Sequence, residues 1–345
     1  MRVQDGASTP DRNNAMLTRR LALAATAALA APAIHAQPVA GGRPVRVIVP
    51  FPPGGAVDIT SRLLADRLGP VLGQPVVVEN RAGAGGLIGA DAIAKGDKDG
   101  SVIGLLGVTV FCALPHMHSR MPFDPIKDLA PISQLTDGAL LCVVNTDTAR
   151  RHGWGDFRDL IRWSRAHPDE VRMGSSGTGT TSHLNIAAVN RFADAKILHV
   201  PYRGGGPAIN DLLSGTIDMM FDVMPALMPH VTSGKFKALA VSSAEPLAIL
   251  PEIPGMKSFA DIGLGKLDVV TWNAVATAGG TPAPVIQRLF EAIRTISQQP
   301  DFVARMRPLG YGTVVSQTPA AVAKLIQDEA PRWRELVEIS GARVD

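Results

Sequence analysis

The sequence predicts an α/β fold in which strands alternate with helices and a sheet is covered on both faces. Three observations predict it. Short β-branched or apolar runs recur along the chain, at 46–49, 76–78, 196–202 and 236–242 among others. Glycine and proline clusters follow several of these runs at once, and apolar residues at helical spacing come next. Such strand–loop–helix units fall on both sides of Asp137, which predicts two lobes. One lobe is expected to hold 43–137 and 263–345 and the other 138–262, with two crossings between them.

The chain opens on a segment read as a signal peptide over residues 1–36. Arg19 and Arg20 form its basic part, and 21–31 is apolar but too short to span a bilayer. Cleavage after Ala36 would start the mature protein at Gln37, exported to the periplasm, and Met16 is an alternative start. Charged residues at 19% and hydrophobic residues at 46% of 345 positions describe a globular chain with room for two domains. Removing 1–36 lowers the net charge from +3 to +1. No basic run carries interleaved aromatics, so nucleic acid is not an expected partner.

The first two units lie at 46–91. Strand 46–49 runs into Pro50, Pro52, Pro53, Gly54 and Gly55, and Leu63, Leu64 and Leu68 mark the helix beyond. Strand 76–78 runs into Gly83, Gly85 and Gly86, with a helix from about Leu87. Each unit aims unpaired N–H groups past a strand end, where anions bind. A third buried strand is expected at 101–110, placing Thr109 at the carboxyl end where such sheets bind ligands. His116 and His118 read as part of an exposed loop rather than a metal pair. Residues 130–145 read as two extended runs broken around Thr136, Asp137 and Gly138, the first crossing between lobes.

Residues 156–167 form an amphipathic helix with Phe157, Leu160, Ile161 and Ser164 on one face. The stretch 171–181 combines a strand with Ser175, Ser176, Thr178, Thr180 and Thr181 before a helix at 182–192. Capping needs only one or two of those hydroxyls. Strand 196–202 leads to three glycines and Pro207, suited to the first helical position. Strand 217–221 ends at Asp222, and Leu227 and Val231 open the next helix face. Thr271, Trp272 and Asn273 begin the return crossing. Helices at 284–296 and 320–338 are expected to pack on the first lobe, with Trp333 in the core. Cys112 and Cys142 read as separate buried residues, with no zinc-type spacing.

Four stretches carry a resemblance: PFPPGG-x-x-D at 50–58, GQPVVVENR-x-GAGG at 73–86, HVPY-x-GGGPA-x-x-DLLSG at 199–215 and D-x-MFD at 218–222. Over about 43–345 the chain resembles the substrate-binding receptors of tripartite tricarboxylate transporters, the Bug family. That resemblance implies a two-lobed fold of the type II periplasmic-binding-protein kind, with a ligand cleft between the lobes. It implies a monomeric receptor for a small organic acid, a membrane permease of large and small subunits as partner, and neither catalysis nor a cofactor. Sensing without transport is the alternative role. Phe51, Pro53, Gly54, Gly55, Asp58 and Thr109 are the expected ligand-binding residues of the first lobe. Ser175, Ser176, Thr178, Thr181, Gly204 and Asp222 are those of the second, and His183 is expected to be structural. Asp58 either complements a helix dipole or lines the cleft. The chain departs from the expected pattern at 244–255, where AEPLAILPEIPG lacks an arginine.

Two other readings compete. A hydrolase built on Ser175 or Ser176 with His183 would want G-x-S-x-G, and MGSSGTG lacks it. GAGGLIG at 83–89 resembles a dinucleotide fingerprint, but it follows the second strand rather than the first.

Overall fold

The computed structural model describes residues 39–307 and 312–344, so the expected signal peptide lies outside the described residues. Strand β1 (Val45–Val49) is buried along nearly all its length because both faces of the sheet are covered there. Helix α1 (Ala56–Leu72) follows, packing Leu64 and Leu68 inward, then strand β2 (Val76–Asn80), helix α2 (Leu87–Ala94) and strand β3 (Val102–Gly107). β1 pairs in parallel with β2 on one side and β3 on the other. Short helices α3 (Val108–Cys112) and α4 (Leu114–Met117) come next.

Strand β4 (Leu129–Asn145) joins the two halves of the sheet. After it come helices α5 (Thr146–His152) and α6 (Phe157–Ala166), strand β5 (Val171–Ser175), helix α7 (Thr181–Phe192) and strand β6 (Ile197–Pro201). Helix α8 (Gly205–Ser214), strand β7 (Met219–Val223), helix α9 (Met224–Thr232) and strand β8 (Phe236–Val241) complete the second half. The chain returns through strand β9 (Val270–Ala278), helices α10 (Ala283–Ser297) and α11 (Pro300–Met306), strand β10 (Gly312–Thr313) and helix α12 (Pro319–Ser340). The strand order is β2-β1-β3-β9-β4-β7-β5-β6, with β8 and β10 also paired to β4.

Several expectations are corrected. The sheet is mixed rather than parallel throughout: β9 runs antiparallel to β3 and β4, and β4 runs antiparallel to β7 and β8. The expected break in β4 is absent. Thr136, Asp137 and Gly138 remain in the strand, paired to Asn273, Trp272 and Thr271. On the other edge Thr136 and Asp137 pair with Thr313 and Gly312, so two neighbouring strands override the local turn chemistry. β4 pairs with β9 up to Ala139 and with β7 from Leu140.

β3 ends at Gly107, not at 110, and Thr109 sits in the first turn of α3. A fully apolar run has no periodicity to separate strand from buried helix. Pro207 is the third residue of α8 rather than the first, still within the turn that needs no N–H partner. His116 is exposed, but on α4 rather than in a loop. Helix α12 covers α3 and also α7, so it spans both halves instead of serving the first alone. Trp333 on α12 is buried, as are Cys112 and Cys142, which remain unbridged. Phe157, Leu160, Ile161 and Ser164 form the buried face of α6.

Candidate functional site

A cavity of about 640 Å³ opens where the loops of the two halves meet. Four helices of eight residues or more begin at it: α9 starts after Val223, and the other three follow glycine-rich or hydroxyl-bearing loops. α1 starts after Gly55, α7 after Thr180 and α8 after Gly204, and none of these three residues caps its helix with a side chain. Elsewhere Asn145, Asp156 and Thr318 do cap α5, α6 and α12. The first N–H groups of α1, α7 and α8 therefore stay available to a ligand, with the partial positive charge of each helix end behind them. Among the described residues lining this cavity, Asp222 is the only ionisable side chain. A slightly larger cavity, about 740 Å³, lies beside Asp137 and Gly138 of β4, Leu247 and Gly312. It meets none of the three glycine-rich or serine-rich loops, so the convergence of helix ends, not size, makes the smaller cavity the candidate site.

The expected residues separate into two groups. Phe51, Pro53, Gly54, Gly55, Ser176, Thr181, Gly204 and Asp222 all line the smaller cavity. Asp58, Thr109, Ser175 and Thr178 are not in its lining. Asp58 is buried behind the first loop, where it accepts from the Gly54 N–H at 2.9 Å, Arg62 Nε at 3.0 Å and Asn80 Nδ2 at 2.8 Å. The same Asn80 amide donates to the Phe51 carbonyl at 3.0 Å. Burial pushes the Asp58 pKa up, but the hydrogen bonds from Arg62, Gly54 and Asn80 outweigh it and leave the carboxyl below its ordinary value. Asp58 thus holds the Pro52–Gly55 turn in shape. Gly54 is the position in this turn that needs glycine, with φ at +83°.

Ser175 is wholly buried. It accepts from the Gly177 N–H at 3.2 Å and bonds His199 Nε2 at 2.6 Å, so its hydroxyl is occupied beneath the loop. His183 stacks on His199 with ring centroids 4.1 Å apart and accepts from the Gly179 N–H. Burial, with His183 alongside, lowers the His199 pKa to about 4, and burial also lowers that of His183. Thr178 turns its carbonyl towards Gly85, where an added Cβ would come within 2.9 Å of it. The opposite loops also meet at Gly204, where a Cβ would lie 3.1 Å from the Pro52 ring.

Thr180 Oγ1 donates to the Gly177 carbonyl at 2.7 Å, and Ser182 Oγ donates to the Phe221 carbonyl. Ser176 Oγ donates to Asp222 Oδ2 at 2.5 Å. Of the hydroxyls around the second loop, Thr181 alone faces another hydroxyl in the cavity wall, that of Thr271 at 3.5 Å. Burial raises the Asp222 pKa, and the donors Ser176 and Val223 pull it part of the way back.

Sequence reasoning passed over Gly107, Leu140, Thr271, Asn273, Gly205 and Gly206, which also line the cavity. The 271–273 stretch carries no loop or glycine signal. It reaches the site because β9 lies between β3 and β4 at the centre of the sheet. Asn273 donates to Thr136 Oγ1 at 2.9 Å, which directs its amide oxygen towards Gly107.

No described helix is long and apolar enough to cross a membrane. The model of the tripartite tricarboxylate transporter family receptor matches residues 60–342. Protein BugT of Bordetella pertussis is 36% identical over 334 residues, covering 95% of this chain and 99% of its own. The structure of the periplasmic binding protein BugD superposes with a TM-score of 0.80 at 31% identity, over 87% of this chain and 98% of that one. MatC from Rhodopseudomonas palustris with bound malate gives 0.77 at 28% identity, over 86% and 99%. The fold is the α/β fold of these periplasmic binding proteins. With one family matched over most of its length and a relative aligned nearly end to end, the chain belongs to the tripartite tricarboxylate transporter receptors, a family of binding proteins rather than enzymes.

Proposed function

We propose that this receptor is exported, captures a small carboxylate-bearing ligand in the 640 Å³ cavity and delivers it to a tripartite transporter permease of large and small subunits. The observation that carries this reading is the convergence of helix N-termini without side-chain caps, those of α1, α7 and α8 among them, on a cavity with no cationic side chain among its described lining residues. Anion binding there falls to backbone N–H groups and to the Thr181 and Thr271 hydroxyls. The malate held by MatC supports a carboxylate as cargo. In this reading the lobes are 43–137 with 263–345, and 138–262, acting as a monomer that closes on its ligand. Ser175 serves as support for the loop rather than as a direct ligand.

The test begins with the protein as purified from its own cell. Denaturing it and identifying any released acid by mass spectrometry names the cargo. A thermal-shift screen over carboxylic acids then checks it, since a ligand at 100 times its Kd adds about 2.7 kcal/mol of stability. Release of no acid, together with no shift by any acid, sinks the reading. Uptake of the identified acid that is unchanged when the gene is deleted removes the transport role and leaves sensing.

A further inference from the structure

Ser176 and Asp222 form a patch of the cavity wall that a carboxylate cradle does not need. Ser176 gives its only proton to Asp222 Oδ2 at 2.5 Å. Asp222 Oδ1 accepts from the Val223 N–H at 2.7 Å. Both residues line the cavity, and Asp222 is 8% exposed. A carboxylate has about four acceptor positions, and these bonds fill two. A hydroxyl whose proton is committed has only lone pairs left to offer. The two side chains of the patch therefore present acceptors and no free donor. The start of α8 lies against it, since a Cβ on Gly205 would come within 2.9 Å of Asp222 Oδ2, and that helix end favours the anion.

An acid made only of acceptors leaves the two remaining acceptor positions without a donor and sets a second anion beside them. An acid that also carries a hydroxyl or an ammonium supplies the missing donor. Sites built around such a bond discriminate strongly against the analogue lacking it, because their buried polar groups then go unsatisfied. We infer that Ser176 and Asp222 select, among carboxylic acids, those that also bear a hydroxyl or ammonium group. The inference rests on the receptor reading above and assigns Asp222 the part of specificity-determining residue.

Two sets of acids on fixed skeletons test it by calorimetry on protein freed of carried-over ligand. One set is succinate, L-malate and L-aspartate; the other is phenylacetate, mandelate and phenylglycine. In at least one set the donor-bearing acid is expected to bind about tenfold to a hundredfold tighter than the plain acid. Asp222→Asn is expected to bring that ratio near one by weakening the first and strengthening the second. Ser176→Ala removes a competing donor from Asp222 and is expected to raise the ratio. Should Asp222→Asn fail to fold, the direction of the Ser176→Ala change decides alone. Equal binding of plain and donor-bearing acids, or a ratio that neither variant moves, overturns the inference and leaves carboxylate capture standing. Binding of none of the six acids overturns the inference, and the receptor reading falls with it only if the purified protein also releases no acid.

Discussion

Asp58 and Asp222 are both buried carboxylates near one cavity, yet their surroundings give them opposite chemistry. Asp58 collects donors from Arg62, Gly54 and Asn80, and its pKa falls. Asp222 has Ser176 and Val223, and burial wins. A depressed carboxylate pKa contributes stability that is present above the unfolded value of about 3.9 and is lost as pH falls through the folded value. Asp58→Asn should therefore lower stability at pH 7 by about 1–3 kcal/mol and flatten the acid limb below about pH 4. Urea unfolding at a series of pH values from neutral to strongly acidic measures both, and an acid limb as steep as wild type would refute the assignment. His199 behaves differently. Its folded pKa of about 4 lies below the unfolded value of about 6.5, so the folded state favours the neutral ring. Stability is expected to decline as pH falls from about 6.5 towards 4. His199→Gln should lose less over that window, read as the shift in urea midpoint between the two ends. An identical shift in both proteins would show that another group titrates there.

At the scale of elements, helix starts without side-chain caps occur at the cavity and also away from it, at α2, α10 and α11. α5, α6 and α12 are closed by Asn, Asp and Thr, while α1, α7 and α8 begin at the cavity without side-chain caps. The glycine-rich breaks that mark α1 and α8 were legible because Gly and Pro punctuate a sequence whatever surrounds it. What each hydroxyl does was not legible. Ser175, Ser176, Thr178, Thr180 and Thr181 look equivalent in sequence, but Ser175, Ser176 and Thr180 are engaged by His199, Asp222 and the Gly177 carbonyl, partners fixed only by folding. The loop contact between the halves gives a further prediction. Gly85 has φ at +63°, and a Cβ there meets the Thr178 carbonyl at 2.9 Å. Gly85→Ala should hold the two loops apart and weaken binding of the identified acid by about tenfold or more, because an L-residue is also strained at that φ. Calorimetry checks it, and unchanged affinity would mean that this contact plays no part in closure.

At the scale of the whole molecule, β4 changes partners between Ala139 and Leu140, from β9 to β7. Ser242 supports that point from the other connection, accepting from the Leu140 N–H at 2.8 Å and donating to the Val269 carbonyl at 2.6 Å. Two adjacent connections of this kind are where the proposed closure would place its hinge. Helix α12 resists that motion, since it covers α3 and α7 together. Small-angle scattering should show a smaller radius of gyration when the identified acid is bound. An unchanged radius would point to a site that is already closed without ligand, with α12 as its clasp.

The sequence alone determined the alternation of strands and helices, the glycine and proline loops that end at the cavity, and the burial of Trp333 and both cysteines. These follow from local periodicity and backbone freedom, which a chain carries before it folds. Tertiary structure decided the unbroken β4, the antiparallel β9 and the entry of Thr271 and Asn273 into the site. It also decided that Asp58 braces a loop while Asp222 lines the cavity. Each of those depends on which distant segment supplies a hydrogen-bond partner, and Thr136 with Thr313, or Asp58 with Asn80, are neighbours only after the sheet has formed.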